Sequence, residues 1–162
     1  MPEKETIARA RRDRRAGKSP STQAGEFVRE EMHHVRQGKH GARSSKQAIA
    51  IGLSKARRAG VKLPPPEKGQ TSEKTRRSAQ HAISRSRSRR RPSTRRSRAV
   101  RTALRREGRS AASRRSLSRQ AHTAARRRGA GSLKAAARKA VRTKGRAGRV
   151  AAARKAARTR KK

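Results

Sequence analysis

The scarcity of large apolar side chains limits what this chain can fold into. The sequence contains one Phe and no Trp or Tyr, and most of its apolar residues are Ala. Folding has to offset an ordering cost of roughly 1–2 kcal/mol per residue of backbone, whereas burial contributes only about 25 cal/mol per Å² of apolar surface. We therefore expect a small core, and disorder along much of the chain when it is alone.

The net charge of +42 indicates a polyanionic partner. The chain holds 51 Lys and Arg against nine Asp and Glu, and such a chain repels itself unless a polyanion neutralises it. Nucleic acid is the commonest polyanion for a protein of this kind. A membrane surface is the competitor, but interfacial helices need Trp, Phe or Leu opposite their cations, and Ala-faced helices would hold lipid weakly. We expect no membrane partner.

Several classes of protein are disfavoured by what the sequence lacks. Without Cys, the chain can form neither disulfides nor thiolate metal sites. Its longest uncharged run is too short to span a bilayer, and the segment MPEKETIARARRDRR lacks the apolar centre of a signal peptide. The sequence shows neither a nucleophile in a recognisable pattern with a base nor a phosphate-cradling glycine loop. We expect a cytoplasmic protein that is not an enzyme and uses no cofactor.

The chain divides near residue 73 into two halves of different chemistry. Residues 1–73 hold 17 basic and eight acidic side chains, whereas residues 74–162 hold 34 basic side chains and one acid, Glu107. Three consecutive prolines lie just before this boundary and end any helix. We predict a small helical module at 1–63, a Pro-rich spacer at 64–73 and an Arg/Lys/Ala/Ser-rich basic tail at 74–162.

Two amphipathic segments in the first half predict a helical hairpin. The first, STQAGEFVREEMHHVRQG, begins with Ser/Thr capping candidates and ends at Gly38. The second, SSKQAIAIGLSKARRAG, has Ser44 or Ser45 as its cap and Gly60 as its end. Both carry apolar residues at roughly helical spacing, and the segment between them is short enough for two antiparallel helices.

The core of this module is expected to be very small. Residues 3–16 predict a further short helix, because acids in its first turn suit the helix dipole. Cores of this size are marginal without a partner, so the module is either loosely packed or self-associates weakly through its helices. The residues expected at its centre are Phe27, Met32, Ile49 and Leu53.

Ala, Arg and Lys dominate the tail, which contains one nearly repeated segment. A Ser/Arg tract at 83–98 has crowded like charges and predicts an extended or disordered segment. Further on, AAARKAVRTKG at 135–145 returns as AAARKAARTRK at 151–161, with eight of eleven positions identical. Glycines divide this part into helix-competent pieces, which cations at four-residue spacing destabilise in isolation; they are Gly108, Gly129, Gly131, Gly145 and Gly148.

These patterns predict an all-α fold class, with a small N-terminal helical hairpin plus a largely disordered, conditionally helical basic tail. The tail would become helical where a polyanion removes the repulsion between its cations. Glycine joints between the pieces would let successive helices follow a curved backbone, and repetition would add avidity.

Cations of the tail are the predicted nucleic-acid-binding residues. Residues four apart share a helix face, which places Lys134, Arg138 and Arg142 on one stripe of the first copy. The full predicted set is Arg89, Arg90, Arg91, Arg95, Arg96, Arg126, Arg127, Arg128, Lys134, Arg138, Lys139, Arg142, Arg154, Lys155, Arg158 and Lys162. Cations on the outer faces of the hairpin would join this footprint; they are Arg29, Arg36, Lys39, Lys46, Lys55, Arg57 and Arg58.

The function this predicts is non-specific, phosphate-directed binding and compaction of duplex DNA by a histone-like, nucleoid-associated protein. Redundant cations on a soft scaffold suit phosphates, whereas base edges require a rigid element that presents a few defined side chains. The alternative is an RNA- or ribosome-associated basic protein, which would use the same electrostatics. The lack of stacking aromatics disfavours single-stranded targets.

Three histidines suggest a metal site, which we do not expect to form. His33 and His34 are neighbours on the proposed helix and point about 100° apart, because successive helical residues are separated by that angle. His40 lies beyond the helix, and no carboxylate or Cys is placed by the sequence to complete a site. We interpret all three as surface histidines. Glu26, Glu30 and Glu31 are interpreted as local charge balance.

The N-terminal stretch TIARARRDRRAGKSPSTQAGEFVREEMHHVRQGKHGARSSKQAIAIGLSKARRAGVKLPPP resembles a family of small, very basic bacterial proteins of unknown function, which are labelled DNA-binding or plasmid-stabilisation proteins. The resemblance covers residues 1–66, and GKHGARSSKQAIAIGLSKARRAG is its most distinctive part. It implies a bacterial, cytoplasmic setting and brings no catalytic or binding residues. The Ala/Lys/Arg tail is similar in composition to linker-histone tails, although the chain lacks a winged-helix pattern and prefers Arg.

Overall fold

The computed structural model describes residues 2–86 and 93–160. The helices are α1 (Lys4–Arg15), α2 (Pro20–Arg36), α3 (Ser45–Arg58), α4 (Glu73–Ser86), α5 (Thr94–Arg106) and α6 (Arg114–Arg160), with a short 3-10 helix at Ser110–Ala112. Two compact units divide the chain, Met1–Ser118 (unit 1) and Arg119–Lys162 (unit 2). Within the described residues, no helix is long and apolar enough to cross a membrane.

Polar caps and glycines set the ends of α2 and α3. Ser19 precedes α2, and its Oγ accepts a hydrogen bond at 3.4 Å from the backbone N–H three residues further on, with Pro20 in the first turn. Ser44 caps α3 in the same way at 3.2 Å. The chain leaves the two helices through Gly38 (φ 74°) and Gly60 (φ 87°), a conformation that favours glycine.

The core of unit 1 lies along the α2–α3 pair and consists of two small clusters. Phe27, 1% exposed, is the centre of one cluster, which also takes in residues of α1 and of the segment after α3. Met32 belongs to the other cluster, together with residues of the 3-10 helix and the start of α6. Of the predicted core residues, Phe27 and Met32 are buried, whereas Ile49 and Leu53 are half-buried at the edges of the clusters.

Small residues allow the helices of unit 1 to approach closely. Ala24, Ala48 and Ala56 have no exposed surface. At Gly52 of α3, a Cβ atom would lie 2.7 Å from the Cα of Val28 in α2, so only glycine fits there without a shift. Close backbone approach thus replaces part of the bulk that Phe, Leu and Ile supply in an ordinary core, because dispersion depends on the number of atoms in contact.

A segment after α5, residues 107–117, returns to the α2–α3 pair. The backbone N–H groups of Gly41 and Ala42 donate to the carbonyl oxygens of Leu104 and Gly108, at 2.8 and 3.1 Å. Ser45 Oγ donates to the Ala111 carbonyl at 2.7 Å. The predicted boundaries at 63 and 73 stay predictions, but the compact unit that contains the hairpin continues to residue 118.

The prediction of a largely disordered basic tail is wrong. From residue 74 onward, most described residues belong to α4, α5, the 3-10 helix or α6. Two effects explain the difference: Ala, Arg and Lys are strong helix formers, and repulsion between cations four residues apart costs only about 0.2–0.5 kcal/mol per pair. Packing adds support in α4, where Ala79 and Ala82 are buried. Residues 87–92 of the Ser/Arg tract lie outside the described residues.

Two glycines divide α6. Gly129 (φ 73°, ψ 166°) and Gly145 (φ 60°, ψ −174°) have non-helical backbone, so that helical residues run from 130 to 144 and from 146 to 160. Each of these 15-residue stretches is about 22 Å long at 1.5 Å per residue. None of the described side chains of unit 2 is buried, so the helices of this unit depend on intrinsic propensity.

Candidate nucleic-acid interface

The sequence repeat in unit 2 coincides with its helical joints. Gly129 and Gly145 are 16 residues apart, the same spacing that relates 135–145 to 151–161. Each copy is therefore one glycine joint followed by one helix. Thr143 and Thr159, at equivalent positions, each donate Oγ1–H to the carbonyl oxygen four residues earlier at 2.9 Å. The hydroxyls are thus satisfied inside the helix, and the cations remain as the polar groups that face solvent.

The predicted cations of the tail that the structure describes are all exposed. Two of them, Arg95 and Arg96, belong to α5. The others belong to α6: Arg126, Arg127, Arg128, Lys134, Arg138, Lys139, Arg142, Arg154, Lys155 and Arg158. Arg89, Arg90, Arg91 and Lys162 lie outside the described residues. That these cations bind nucleic acid stays a prediction, but nothing described in the chain buries them.

Acidic side chains are confined to unit 1. All nine Asp and Glu lie in residues 1–118, whereas residues 119–162 hold 17 of the 51 cations and no acid. The ion pairs found among the described residues lie between residues 3 and 76. Beyond Arg76, no described cation lies within 4.0 Å of a carboxylate. The cations of α5 and α6 whose side chains the structure describes consequently have no internal counter-charge to give up before they meet a phosphate.

A groove of about 460 Å³ gives unit 1 a second cationic surface, which we call the α5 groove. On one side it is lined by Arg58 of α3, and on the other by Arg96, Arg101 and Arg105 of α5. Sequence analysis identified Arg58 and Arg96 and missed Arg101 and Arg105. Their four-residue spacing, which places them on one helix face, would have identified them if α5 had been predicted as a helix.

Several hairpin cations serve the fold rather than a free surface. Arg36 Nε donates to the Ala112 carbonyl at 3.0 Å, which ties the return segment to α2. Arg57 Nε and Nη2 donate to the carbonyl oxygens of Leu63 and Pro64 at 3.3 and 3.1 Å, and burial lowers the pKa of Arg57. Arg36 and Arg57 therefore donate hydrogen bonds to backbone carbonyl oxygens and stabilise the fold.

One cluster of unit 1 joins carboxylates to histidines. His34 Nε2 lies 2.8 Å from Glu3 Oε1, and His40 Nε2 lies 3.1 Å from Glu31 Oε1. The hydrogen bond from His34, and after it the one from Lys39, lowers the pKa of Glu3 to about 2. The side chains of His34 and His40 are only 12% and 16% exposed, unlike the surface positions expected from sequence. The structure also places the carboxylate of Glu31 beside them.

Comparison with known proteins finds one family. The family described as "Family of unknown function (DUF6496)" matches residues 15–68, about a third of the chain. The match covers α2, α3 and the segment that follows them, and it leaves the basic tail unmatched. No curated protein and no solved structure matches the chain.

Proposed function

We propose that this protein binds duplex DNA without sequence specificity, through its phosphates, and compacts it as a histone-like, nucleoid-associated protein of the bacterial cytoplasm. One observation carries the proposal: the cations of α5 and α6 are exposed and have no carboxylate within ion-pair distance among the described residues. The labels of the family that the N-terminal stretch resembles agree with it.

The absence of internal counter-charges matters for the energetics of binding. A cation that is already paired has to exchange one partner for another, and the net gain is small. An unpaired exposed cation releases a condensed counterion from DNA when it meets a phosphate, and this release supplies non-specific affinity. Duplex DNA carries two phosphates per base pair, so the 17 cations of residues 119–162 match about eight or nine base pairs.

The jointed helices suit a target that is long and uniform. Each 15-residue helix spans about 22 Å, or roughly six base pairs at 3.4 Å per pair. Alanines at 135–137 and 151–153 leave little bulk between the helix and a phosphate wall. The glycine joints allow successive helices to turn independently, so the binding of one helix raises the effective concentration of the next.

Base-specific recognition is not supported by the same features. Cations recur around the helices of unit 2, and none of the described side chains there is held by tertiary packing. Direct recognition requires a few side chains held in a fixed geometry in the major groove. A surface of interchangeable cations selects for charge density instead.

A salt titration tests the proposal. Binding of the full chain to a 30-base-pair duplex is followed by fluorescence anisotropy between 50 and 400 mM KCl, with duplex RNA and single-stranded DNA of the same length in parallel. For about ten phosphate contacts, the plot of log K against log salt has a slope near −9. Similar affinities for unrelated DNA sequences support the absence of specificity, and bridging of two labelled duplexes supports compaction.

The other outcomes identify the alternatives. Tighter binding to RNA that survives physiological salt would assign the protein to RNA or to the ribosome. Binding to DNA that is nearly independent of salt would contradict a phosphate-directed mechanism. Strong preference for one DNA sequence would contradict non-specific binding and direct attention to unit 1, which has defined packing.

A further inference from the structure

We propose that Glu31, His34 and His40 form a binding site for one divalent transition-metal ion of the zinc class. The proposal is independent of DNA binding. One ligand atom from each residue lies within 4.8 Å of the others. Two imidazole nitrogens and a carboxylate oxygen are a donor set that Zn²⁺ accepts, usually with water in the remaining position. Among the described residues, no other group of three such side chains is found.

The orientation of His40 leaves its Nε2 available as a ligand. Its Nδ1 lies 3.1 Å from the carbonyl oxygen of Gly41, which can only accept a hydrogen bond, so the proton resides on Nδ1. The lone pair of Nε2 then faces Glu31 Oε1 across 3.1 Å. Two acceptors at this distance repel unless a positive charge lies between them. A metal ion bound to both atoms satisfies this requirement.

His34 is oriented in the equivalent way by a carboxylate. Its Nε2 lies 2.8 Å from Glu3 Oε1, and this carboxylate oxygen accepts its hydrogen bond. With the proton on Nε2, the lone pair for a metal ion is on Nδ1, which lies 4.0 Å from Glu30 Oε1. Histidine ligands of metals typically donate their second ring N–H to a carboxylate or a backbone carbonyl, which fixes the tautomer and the ring orientation. His34 donates to the carboxylate of Glu3, and His40 donates to the backbone carbonyl of Gly41.

The carboxylate of Glu31 is fully buried and is held by ion-pair contacts instead of well-aligned hydrogen bonds. The residue has no exposed surface, and neither Oε1 nor Oε2 has a hydrogen-bond partner among the described side chains. Lys55 Nζ lies 2.6 Å from Oε2, so this contact is an ion pair by distance although its angles are not those of a hydrogen bond. A metal ion at Oε1 would give this buried oxygen a partner of opposite charge.

Glu31 and His40 also line the α5 groove with its four arginines, so an ion has to bind where acids outnumber the nearest cations, Lys39 and Lys55. Three of the nine acids, Glu3, Glu30 and Glu31, meet here. Lys55 contacts Glu31 through Oε2 and also lies 3.5 Å from Glu30 Oε1. An ion on Glu31 Oε1 therefore leaves the pairing of Lys55 in place. The competing arrangement places a second proton on His40, which would make the cluster a plain histidine–glutamate ion pair.

Metal titration of the full chain distinguishes the two arrangements. Protein stripped with EDTA and dialysed free of chelator is titrated with Zn²⁺ by calorimetry and with Co²⁺ by visible absorption, both without nucleic acid. We expect one ion per chain and a Co²⁺ spectrum of low coordination number. His34→Gln and His40→Gln should each weaken binding by at least about tenfold, since the loss of even an outer partner of a ligand costs about 10–100-fold.

Matched variants exclude trivial explanations. His33→Gln changes an exposed histidine next to His34 on the same helix and should leave the affinity unchanged. Glu3→Gln should weaken binding about 10–100-fold, because it releases the ring of His34 without removing a ligand. Circular dichroism confirms that each variant folds, and Glu31→Gln, which also removes a ligand, replaces His34→Gln or His40→Gln if either does not. The absence of stoichiometric binding, or an equal loss in His33→Gln and His40→Gln, would overturn the proposal.

Discussion

Unit 1 and unit 2 are both helical, but their helices are stabilised in different ways. In unit 1, alanines, Phe27 and Met32 are buried, and carboxylates pair with five Lys and Arg side chains: Arg9, Lys18, Lys39, Lys55 and Arg76. In unit 2, the described side chains are all at least partly exposed and no acid is present. Helical structure in this composition therefore does not require a core, because Ala, Arg and Lys are intrinsically strong helix formers.

The same comparison separates two roles of a cation. Where an acid is close, as at Arg9 with Glu26 at 2.7 Å, the cation stabilises the fold. Where no acid is close, as at Arg138, the cation is free to meet an external anion. Since every acid lies before residue 108, the described cations of unit 2 have no acid close by, and most cations of unit 1 also lie outside the ion pairs found.

Gly41→Ala should disrupt unit 1 where the return segment docks. A Cβ at this position would overlap the backbone carbonyl of Glu107, so the segment has to move and the hydrogen bonds from Gly41 and Ala42 are lost. We expect a loss of about 3 kcal/mol in the free energy of unfolding, measured by urea denaturation. Gly25→Ala, on an open face of α2, is the control and should not destabilise. An unchanged free energy in Gly41→Ala would show that the segment is not docked.

Neutralising free cations should reduce the salt dependence of DNA binding more than neutralising paired ones. The triple variant Lys134→Gln/Arg138→Gln/Arg142→Gln should lower the slope of log K against log salt by about 2.7. Between 50 and 200 mM salt, the wild type would then lose about 40-fold more affinity than the variant. The control has the same net charge and changes cations that are paired with carboxylates: Arg9→Gln/Lys18→Gln/Arg76→Gln. Equal slopes for the two variants would contradict the distinction.

The same substitution should have opposite effects in the two units. Gly52→Ala places a Cβ 2.7 Å from Val28 Cα, and we expect unit 1 to lose about 1–2 kcal/mol, because the strain exceeds the gain in helix propensity. Gly131 is helical and has nothing within 4 Å of its Cβ position. Gly131→Ala should therefore stabilise its helix by about 0.5–1 kcal/mol. Thermal unfolding followed at 222 nm measures both, and a stabilised Gly52→Ala would refute the close packing of α2 on α3.

Glycine at equivalent positions of the two repeats should lower helicity by similar, additive amounts. Ala136→Gly and Ala152→Gly each remove about 0.8–1 kcal/mol of helix propensity. Since unit 2 has no buried side chains among those described, neither change should alter the unfolding of unit 1. Circular dichroism measures the loss, which duplex DNA should largely restore. Loss of structure in unit 1 with either variant would mean that the units are not independent.

Local features of unit 1 could be predicted from the sequence because they depend on neighbouring residues. Ser44, Gly38 and Gly60 lie at the helix ends where capping rules place them, and α1 lies within the predicted 3–16 segment. Phe27 and Met32 are buried because they recur on the apolar face of α2. These results follow from periodicity and from backbone conformations that few residue types adopt.

The features that could not be predicted depend on residues far apart in sequence. Ser45 and Ala111, which share a hydrogen bond, are 66 positions apart. Ala111 and Ala112 are indistinguishable in type from the exposed alanines of unit 2, so composition could not identify the return segment. The histidine cluster was missed because the loop between α2 and α3, rather than helix spacing, brings His40 to Glu31. The tail is helical because the helix propensity of Ala, Arg and Lys outweighs the repulsion between cations four residues apart.

The glycine joints of α6 allow the tail to be lengthened or shortened by whole 16-residue repeats. A tandem duplication or deletion of 16 codons that begins at Gly129 or Gly145 adds or removes one joint and one helix, without shifting the register of what remains. The two repeats, residues 129–144 and 145–160, carry five and six cations and no acid. Genetic change in multiples of 16 residues would therefore adjust the charge and reach of the tail in steps of about 22 Å, and would leave the buried contacts of unit 1 untouched.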